Sequence, residues 1–131
     1  MPLYAKSVKF LAKNLNLIEN GLTLYSEEGI NGLEFPVGNR AIDILAIDKS
    51  KNYVVIELKV SRGYDRVVGQ ILRYMAWIRK YNADKNQKVR GIIIAREITE
   101  DLILACSETQ SVDLFEYSLS VSLKKVEKPD K

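Results

Sequence analysis

The run Ala41-Ile42-Asp43-Ile44-Leu45-Ala46-Ile47, followed after Asp48-Lys49-Ser50-Lys51-Asn52 by Tyr53-Val54-Val55-Ile56-Glu57-Leu58-Lys59-Val60, decides the fold. Both runs are rich in β-branched and aliphatic residues, and a polar pentapeptide is a suitable hairpin connection, so they read as adjacent antiparallel strands. With the connection centred on Ser50, residues whose numbers add to 100 face one another: Ile47 with Tyr53, Leu45 with Val55 and Asp43 with Glu57. Directly opposed side chains stand about 4.5–5.5 Å apart at Cβ, which puts two carboxylates side by side. Alternation places Lys59 on the same face. Leu45, Ile47 and Val55 share that face, and Ile42, Ile44, Val54, Ile56 and Leu58 line the other. Like charges opposed in so apolar a setting are costly. A divalent cation would offset that cost, with Lys59 as a further counter-charge, and a hard-oxygen donor set favours Mg²⁺ or Mn²⁺. The same residues also suit a half-exposed face in which Asp43 is the salt-bridge partner.

Upstream, Val8, Phe10, Leu11, Leu15 and Ile18 recur at helical spacing with Lys6, Lys9 and Lys13 opposite, predicting a helix over 5–18 that Asn20-Gly21 stops. Leu22 to Tyr25 reads as a short strand and Leu33 to Val37 as extended. Downstream, Val67, Val68, Ile71, Leu72, Met75 and Ile78 predict a long helix over 64–81. Val89–Ala95 reads as a buried strand, Thr99–Cys106 as a short helix and Val112–Tyr117 as a further strand. Leu119, Val121 and Leu123 alternate as in an edge strand, and Lys124–Lys131 is a charged tail. The order α-β-β-β-α-β-α-β implies an α/β fold, a mixed sheet flanked by helices. One domain over 1–123 and a tail over 124–131 are expected for 131 residues.

Composition narrows the chemistry. Histidine is absent, which removes Ser-His-Asp and Cys-His hydrolases and His-ligated zinc. Cys106 is the single cysteine, so no disulfide forms within the chain, as suits a reducing compartment. The net charge of +3 hides an uneven distribution. Residues 59–96 carry Lys59, Arg62, Arg66, Arg73, Arg79, Lys80, Lys85, Lys88, Arg90 and Arg96 against only Asp65 and Asp84. Such a block suits a polyanion partner, and equally a solvated lysine-rich face. Met1 to Leu17 lacks the apolar core of a signal peptide, and no apolar run approaches the roughly 20 residues that span a bilayer. A cytoplasmic protein without a membrane partner is expected.

On the long helix Arg66, Gln70, Arg73 and Trp77 form one mainly polar stripe, either a phosphate-handling face or a solvent face with an interfacial tryptophan. Gly69 costs about 1 kcal/mol of helix propensity, which suits a close approach to another backbone such as the sheet.

Ile42-Asp43, Glu57-Leu58-Lys59 and Gly69-Gln70, in this order and on these elements, resemble the PD-(D/E)XK nuclease superfamily, with its restriction-endonuclease-like fold. The likeness is closer to the nuclease domain of NucS/EndoMS-like endonucleases. It is carried by Leu17-Ile18-Glu19-Asn20-Gly21-Leu22, Glu34-Phe35-Pro36-Val37-Gly38, Ile42-Asp43-Ile44-Leu45-Ala46, Val54-Val55-Ile56-Glu57-Leu58-Lys59 and Gly69-Gln70-Ile71-Leu72-Arg73-Tyr74, and extends weakly through Gly91-Ile92-Ile93-Ile94-Ala95.

The resemblance implies a Mg²⁺- or Mn²⁺-dependent endonuclease that hydrolyses DNA phosphodiester bonds with a metal-activated water. Asp43 and Glu57 would be metal ligands with the Leu58 carbonyl as a third. Lys59 would orient or deprotonate the water, and Gln70 would position water or phosphate. Arg62, Arg66 and Arg73 are candidate phosphate contacts by position and charge. Tyr64 and Tyr74 are candidates for stacking on a base or sugar, against the commoner role of packing. Relatives commonly carry a metal-binding acid on the first helix, but residues 1–18 contain none, which leaves Glu19 or Glu34 as the substitute. NucS-like enzymes also have an N-terminal domain for DNA binding and dimerisation, so this chain reads as a minimal or an excised version. The substrate could be single-stranded, branched or mismatched DNA, or RNA, and a homodimer is expected because one site cuts one strand. Two rivals stay open: a catalytically weak or inactive nucleic-acid-binding module of the same fold, and a protein-interaction domain with a structural ion cluster.

Overall fold

The computed structural model describes residues 3–63 and 65–130. Helix α1 (Leu3–Lys13) and a 3-10 turn (Leu15–Leu17) lead into β1 (Thr23–Leu24), a small ribbon of β2 (Ser26–Glu27) and β3 (Ile30–Asn31), then β4 (Leu33–Val37), β5 (Arg40–Ile47) and β6 (Tyr53–Gly63). Helix α2 (Arg66–Tyr81), β7 (Val89–Ile98), α3 (Glu100–Cys106) and β8 (Val112–Glu116) complete the chain's regular structure. The main sheet runs β1-β5-β6-β7-β8, with β4 also on β5. β5 and β6 are antiparallel, whereas β6, β7 and β8 are parallel, their crossovers made by α2 and α3. A mixed α/β sheet flanked by helices is therefore present. It differs from the expected order in that the extended segment Leu33–Val37 pairs as a strand in its own right, β4, and in the β2–β3 ribbon, which has too few residues to show a period.

The hairpin register is the expected one over Ile44↔Ile56, Leu45↔Val55, Ala46↔Val54 and Ile47↔Tyr53. Its five-residue connection is held by Asp48, whose carboxylate accepts from the Ser50 and Asn52 N–H groups at 2.9 Å each. Leu45, Val55 and Ile93 pack with Ile71, Met75 and Ile78 of α2, while Ile44, Val54, Ile56 and Leu58 pack with Val8 and Leu15. Each such side chain contributes about 1.5–3 kcal/mol by leaving water. Ile42 departs from expectation by joining the α2-side cluster. The reason lies beside it: opposite Asp43 on β4, Glu34 has left-handed φ of 51°, so the β4–β5 pair rotates there.

The first helix is shorter than 5–18, ending before Asn14, whose Nδ2 donates to the Phe10 carbonyl at 2.8 Å. Phe10 is 59% exposed instead of buried, because two residues from Val8 is nearly the opposite side of a helix. By the same geometry Leu72 faces outward and Tyr74 takes the inner position. The expected edge strand at 119–123 is not formed: Ser118 to Asp130 has no regular structure, and Leu119, Val121 and Leu123 are exposed. Alternation marks a strand only where a neighbour offers pairing partners. No described helix is long and apolar enough to cross a membrane.

Gly69 does not meet the sheet; a Cβ there would find nothing within 4 Å. The close helix–sheet approach is at Gly91 on β7, where a Cβ would stand 2.7 Å from Met75 Sδ. Gly69→Ala is accordingly expected to stabilise the domain by about 0.5–1 kcal/mol through helix propensity alone, read as a raised urea midpoint with unchanged slope. A lowered midpoint would mean that Gly69 has a steric role in the folded domain.

Candidate metal and nucleic-acid site

The ladder between β5 and β6 stops at Ile44↔Ile56, and the next pair is joined through its carboxylates. Glu57 Oε1 accepts from the Asp43 N–H at 3.2 Å, and Asp43 Oδ2 accepts from the Leu58 N–H at 2.8 Å. The expected juxtaposition of Asp43 and Glu57 is thus formed, at the point where the two strands part. Asp43 is 7% exposed and Glu57 2%. Burial first, and then the charge of Asp43, push the Glu57 carboxyl up to about 8; the Asp43 N–H and the Lys59 ammonium pull it the other way.

Lys59 Nζ donates to Gln70 Oε1 at 3.3 Å, and Gln70 Nε2 donates to the Tyr74 hydroxyl at 3.2 Å. The strand residue and the helix residue singled out by spacing therefore meet. Tyr74 itself is 3% exposed, which leaves no ring face for a base; it packs the core and anchors Gln70. Tyr64 lies outside the described residues.

Immediately after Lys59 the β6–β7 register slips, Lys59 pairing with Ala95 and Arg62 with Glu97. This one-residue bulge returns Arg62 to the face that holds Glu57 and Lys59, as bulges beside functional sites do. Arg62, Arg66 and Arg73 then line, with Lys59, Gln70 and Gly69, an open groove of about 460 Å³. Arg62 also pairs with Glu97 at 3.2 Å, but both are more than half exposed, so that pair is worth about 0–1 kcal/mol and yields readily to a phosphate.

Arg40 lines the same groove and was not among the expected contacts. Its signal was its place between the Gly38-Asn39 turn and Asp43, outside the basic block. Conversely, two members of that block serve the fold. Arg79 donates to the Asp84 and Gln87 carbonyls, and Arg90 pairs with Glu19 at 2.6 Å and Asp48 at 3.1 Å.

Neither proposed substitute acid joins the pair. Glu19 is engaged with Arg90, which donates to both its oxygens. Glu34 stands on β4 at the register position opposite Asp43, between the pairs Leu33↔Ile44 and Phe35↔Ile42, but is exposed. Among the described residues no set of three acidic, histidine or cysteine side chains could hold a metal. Two buried carboxylates with the half-buried Lys59 on the same face are nevertheless a fitting donor set for Mg²⁺, which commonly takes one or two carboxylates and fills its remaining positions with water and substrate phosphate.

Fold and site together define an α/β domain with a carboxylate–carboxylate–lysine centre where its central strands part. The chain belongs to the endonuclease NucS C-terminal domain family, whose profile matches residues 5–116. Endonuclease NucS of Pyrococcus furiosus is 31% identical over 96 residues, covering 73% of this chain and 33% of the relative. That of Methanocaldococcus jannaschii is 33% identical over 96 residues, covering 72% and 33%. The chain thus spans about a third of the length of these relatives. Its fold is similar to that of a repair endonuclease from Pyrococcus abyssi, with a TM-score of 0.71 at 23% identity over 89% of this chain and 47% of the other. An EndoMS chain in complex with double-stranded DNA gives 0.69 at 24% identity, covering 89% and 46%.

Proposed function

We propose that this domain is a PD-(D/E)XK nuclease centre that hydrolyses DNA phosphodiester bonds with Mg²⁺ or Mn²⁺. The observation that carries the reading is the Asp43–Glu57 pair, with Lys59 held to Gln70 beside it and an arginine-lined groove leading in. Asp43 and Glu57 would hold the ion, with the Leu58 carbonyl as a third protein oxygen. Bound there, the ion would lower the pKa of a water and balance charge building on the scissile phosphate. Lys59 holds the attacking water on the side of Gln70, whose amide is in turn fixed by Tyr74. Arg62, Arg66, Arg73 and Arg40 bind flanking phosphates, which fixes the register of the strand against the carboxylates. Family membership and the DNA bound by the fold-related EndoMS chain support DNA as the substrate. Cutting both strands of a duplex needs two such centres, which a homodimer supplies.

The test is cleavage of labelled single-strand, duplex, flap and mismatch DNA in Mg²⁺ or Mn²⁺. Lys59→Ala is expected to slow cleavage by about 10²–10⁴-fold, the usual worth of a positioned proton-transfer group, while DNA affinity stays within a few-fold of wild type. The lack of a third acid among the described residues favours one rival, a binding module that does not cut. Salt-dependent DNA binding without cleavage by the folded wild type would establish that rival instead.

A further inference from the structure

Beyond the groove the α2 stripe does not end. Arg66, Gln70, Arg73 and Trp77 are followed on the same side by Tyr81, the last residue of the helix. At a rise of 1.5 Å per residue, Trp77 lies about 10 Å and Tyr81 about 16 Å from Gln70 along the axis. A second hollow, about 260 Å³, adjoins Trp77 and is also lined by Arg73, Arg40, Gly38 and Asn39. It shares Arg40 and Arg73 with the groove beside Lys59, so the two hollows adjoin across these arginines.

Packing accounts for only part of the aromatic pair: Trp77 packs against the α2-side core but stays partly open, and Tyr81 is exposed. Tyr53 and Tyr74 are buried at 7% and 3%, whereas Tyr81 is 59% exposed and Trp77 only partly covered. Trp77 is nevertheless held in place. Its benzo edge rests on the β4–β5 turn, where a Cβ on Gly38 would stand 3.6 Å from Cζ3 and Cη2. Gly38 has φ of 68°, a left-handed conformation that suits glycine and keeps that contact close. The Trp77 and Tyr81 rings stand 4.5 Å apart at 45°, and Lys80 Nζ is 5.2 Å from the Tyr81 centroid. Trp77 is thus held against the turn and half open, with the exposed Tyr81 beside it, Lys80 over the Tyr81 ring, and Arg40 and Arg73 lining the hollow at Trp77.

We infer that Trp77 and Tyr81 form a stacking platform for an unpaired base, on a strand whose phosphates lie on Arg40 and Arg73; the inference rests on the nuclease reading of the adjoining groove. Bases inside a duplex are paired and stacked on their neighbours, so only an unpaired base can present a face to these rings. The ligand is accordingly a strand that is single beside the bond being cut. The flanking arginines favour a polyanion over an apolar peptide as the occupant.

Trp77 is the single tryptophan of the chain, so its emission reports on the platform directly. The full chain in EDTA, where no metal-dependent cleavage proceeds, is titrated with a short oligothymidylate and with a blunt duplex of equal length. Binding is followed both by Trp77 emission and by anisotropy of a label on the DNA. The single strand is expected to quench Trp77 and the duplex not to. Tyr81→Ala, at an exposed position, should weaken single-strand binding by about 5- to 150-fold, the worth of one stacked base. Trp77→Phe should retain most of the affinity. Single-strand binding without quenching and without an effect of Tyr81→Ala overturns the platform, as does equal quenching by the duplex or a failure to bind the single strand at low salt. Wild-type cleavage in Mg²⁺ tests the nuclease reading separately. Quenching without cleavage keeps the platform and removes the nuclease; cleavage without quenching does the reverse.

Discussion

Glu57→Gln should remove Mg²⁺-dependent cleavage and, in the same protein, raise the stability of the metal-free domain at pH 8. The loss of cleavage follows from losing one of the two carboxylates proposed to hold the ion, expected to cost about three orders of magnitude, or ~4 kcal/mol of transition-state stabilisation. The gain in stability follows from burial. Glu57 is 2% exposed, and its carboxyl is pushed up to about 8 by desolvation and the neighbouring Asp43 charge. An unfolded chain gives up this proton near pH 4.5. Between about 4.5 and 8 the folded state therefore holds a proton that the unfolded state has lost, and metal-free stability falls as pH rises through that window. Glutamine keeps an oxygen for the Asp43 N–H and has no charge to bury. Metal-free wild type should thus lose a few kcal/mol between pH 5 and 8 while the glutamine variant loses much less, a difference read from urea midpoints. Mg²⁺ should raise the wild-type midpoint at pH 8 and leave that of Glu57→Gln unchanged. Strong destabilisation of the glutamine variant at every pH, with no response to Mg²⁺ in the wild type, would instead make Asp43, Glu57 and Lys59 a structural ion cluster.

What made this centre readable in advance is that two residues of a hairpin with a known loop fix each other's positions. Counting from Ser50 gave the observed pairs down to Ile44↔Ile56 and so brought Asp43 to Glu57, and period-two alternation carried Lys59 to the same face. Helical spacing then delivered Gln70 to Lys59. Events that break a period were not readable. The one-residue bulge after Lys59 decides that Arg62 enters the groove, and the left-handed Glu34 decides that Ile42 changes sides. Arg40 was missed because it is the first residue of β5, just ahead of the run that reads as a strand and outside the basic block over 59–96. Gly69 was assigned the close contact that Gly91 makes, since a glycine alone does not say whether its missing Cβ faces a neighbour or open space. Tyr74 was offered as a base contact because residue type says nothing of burial, and at 3% exposure it is core.

Charge counting misled in an instructive place, and Arg90 provides the test. By composition it belongs to the basic block over 59–96, but its guanidinium is bound to Glu19 at 2.6 Å and Asp48 at 3.1 Å, with Asp113 at 3.9 Å. It sits where β7 begins, whereas Glu57 and Lys59 pair with Ile93 and Ala95 farther along that strand. The side chain of Asp48 is only 7% exposed, so removing its cation strands a nearly buried carboxylate beside Glu19. Arg90→Leu should therefore destabilise the domain by about 2–3 kcal/mol, less than the 3–5 kcal/mol of a fully buried pair because Arg90 retains a quarter of its exposure. For a chain of this size that lowers the thermal midpoint by roughly 6–12 °C at pH 7. The pH dependence has a definite sign. The Arg90 hydrogen bond holds the Glu19 carboxyl below its ordinary 4.5; for Asp48 burial opposes, but hydrogen bonds from Asn52, Arg90 and Ser50 outweigh it and hold that carboxyl below 3.8. Their contribution is present above those values and is lost as pH falls through the lowered ones, so the deficit of Arg90→Leu should shrink on acidification below about pH 4. DNA affinity and its salt slope should stay at wild-type values in Arg90→Leu, whereas Arg73→Ala should reduce that slope by about one. A fall in the salt slope of Arg90→Leu, without a fall in its thermal midpoint, would return Arg90 to the proposed DNA-binding face and extend that face to the opposite end of the sheet.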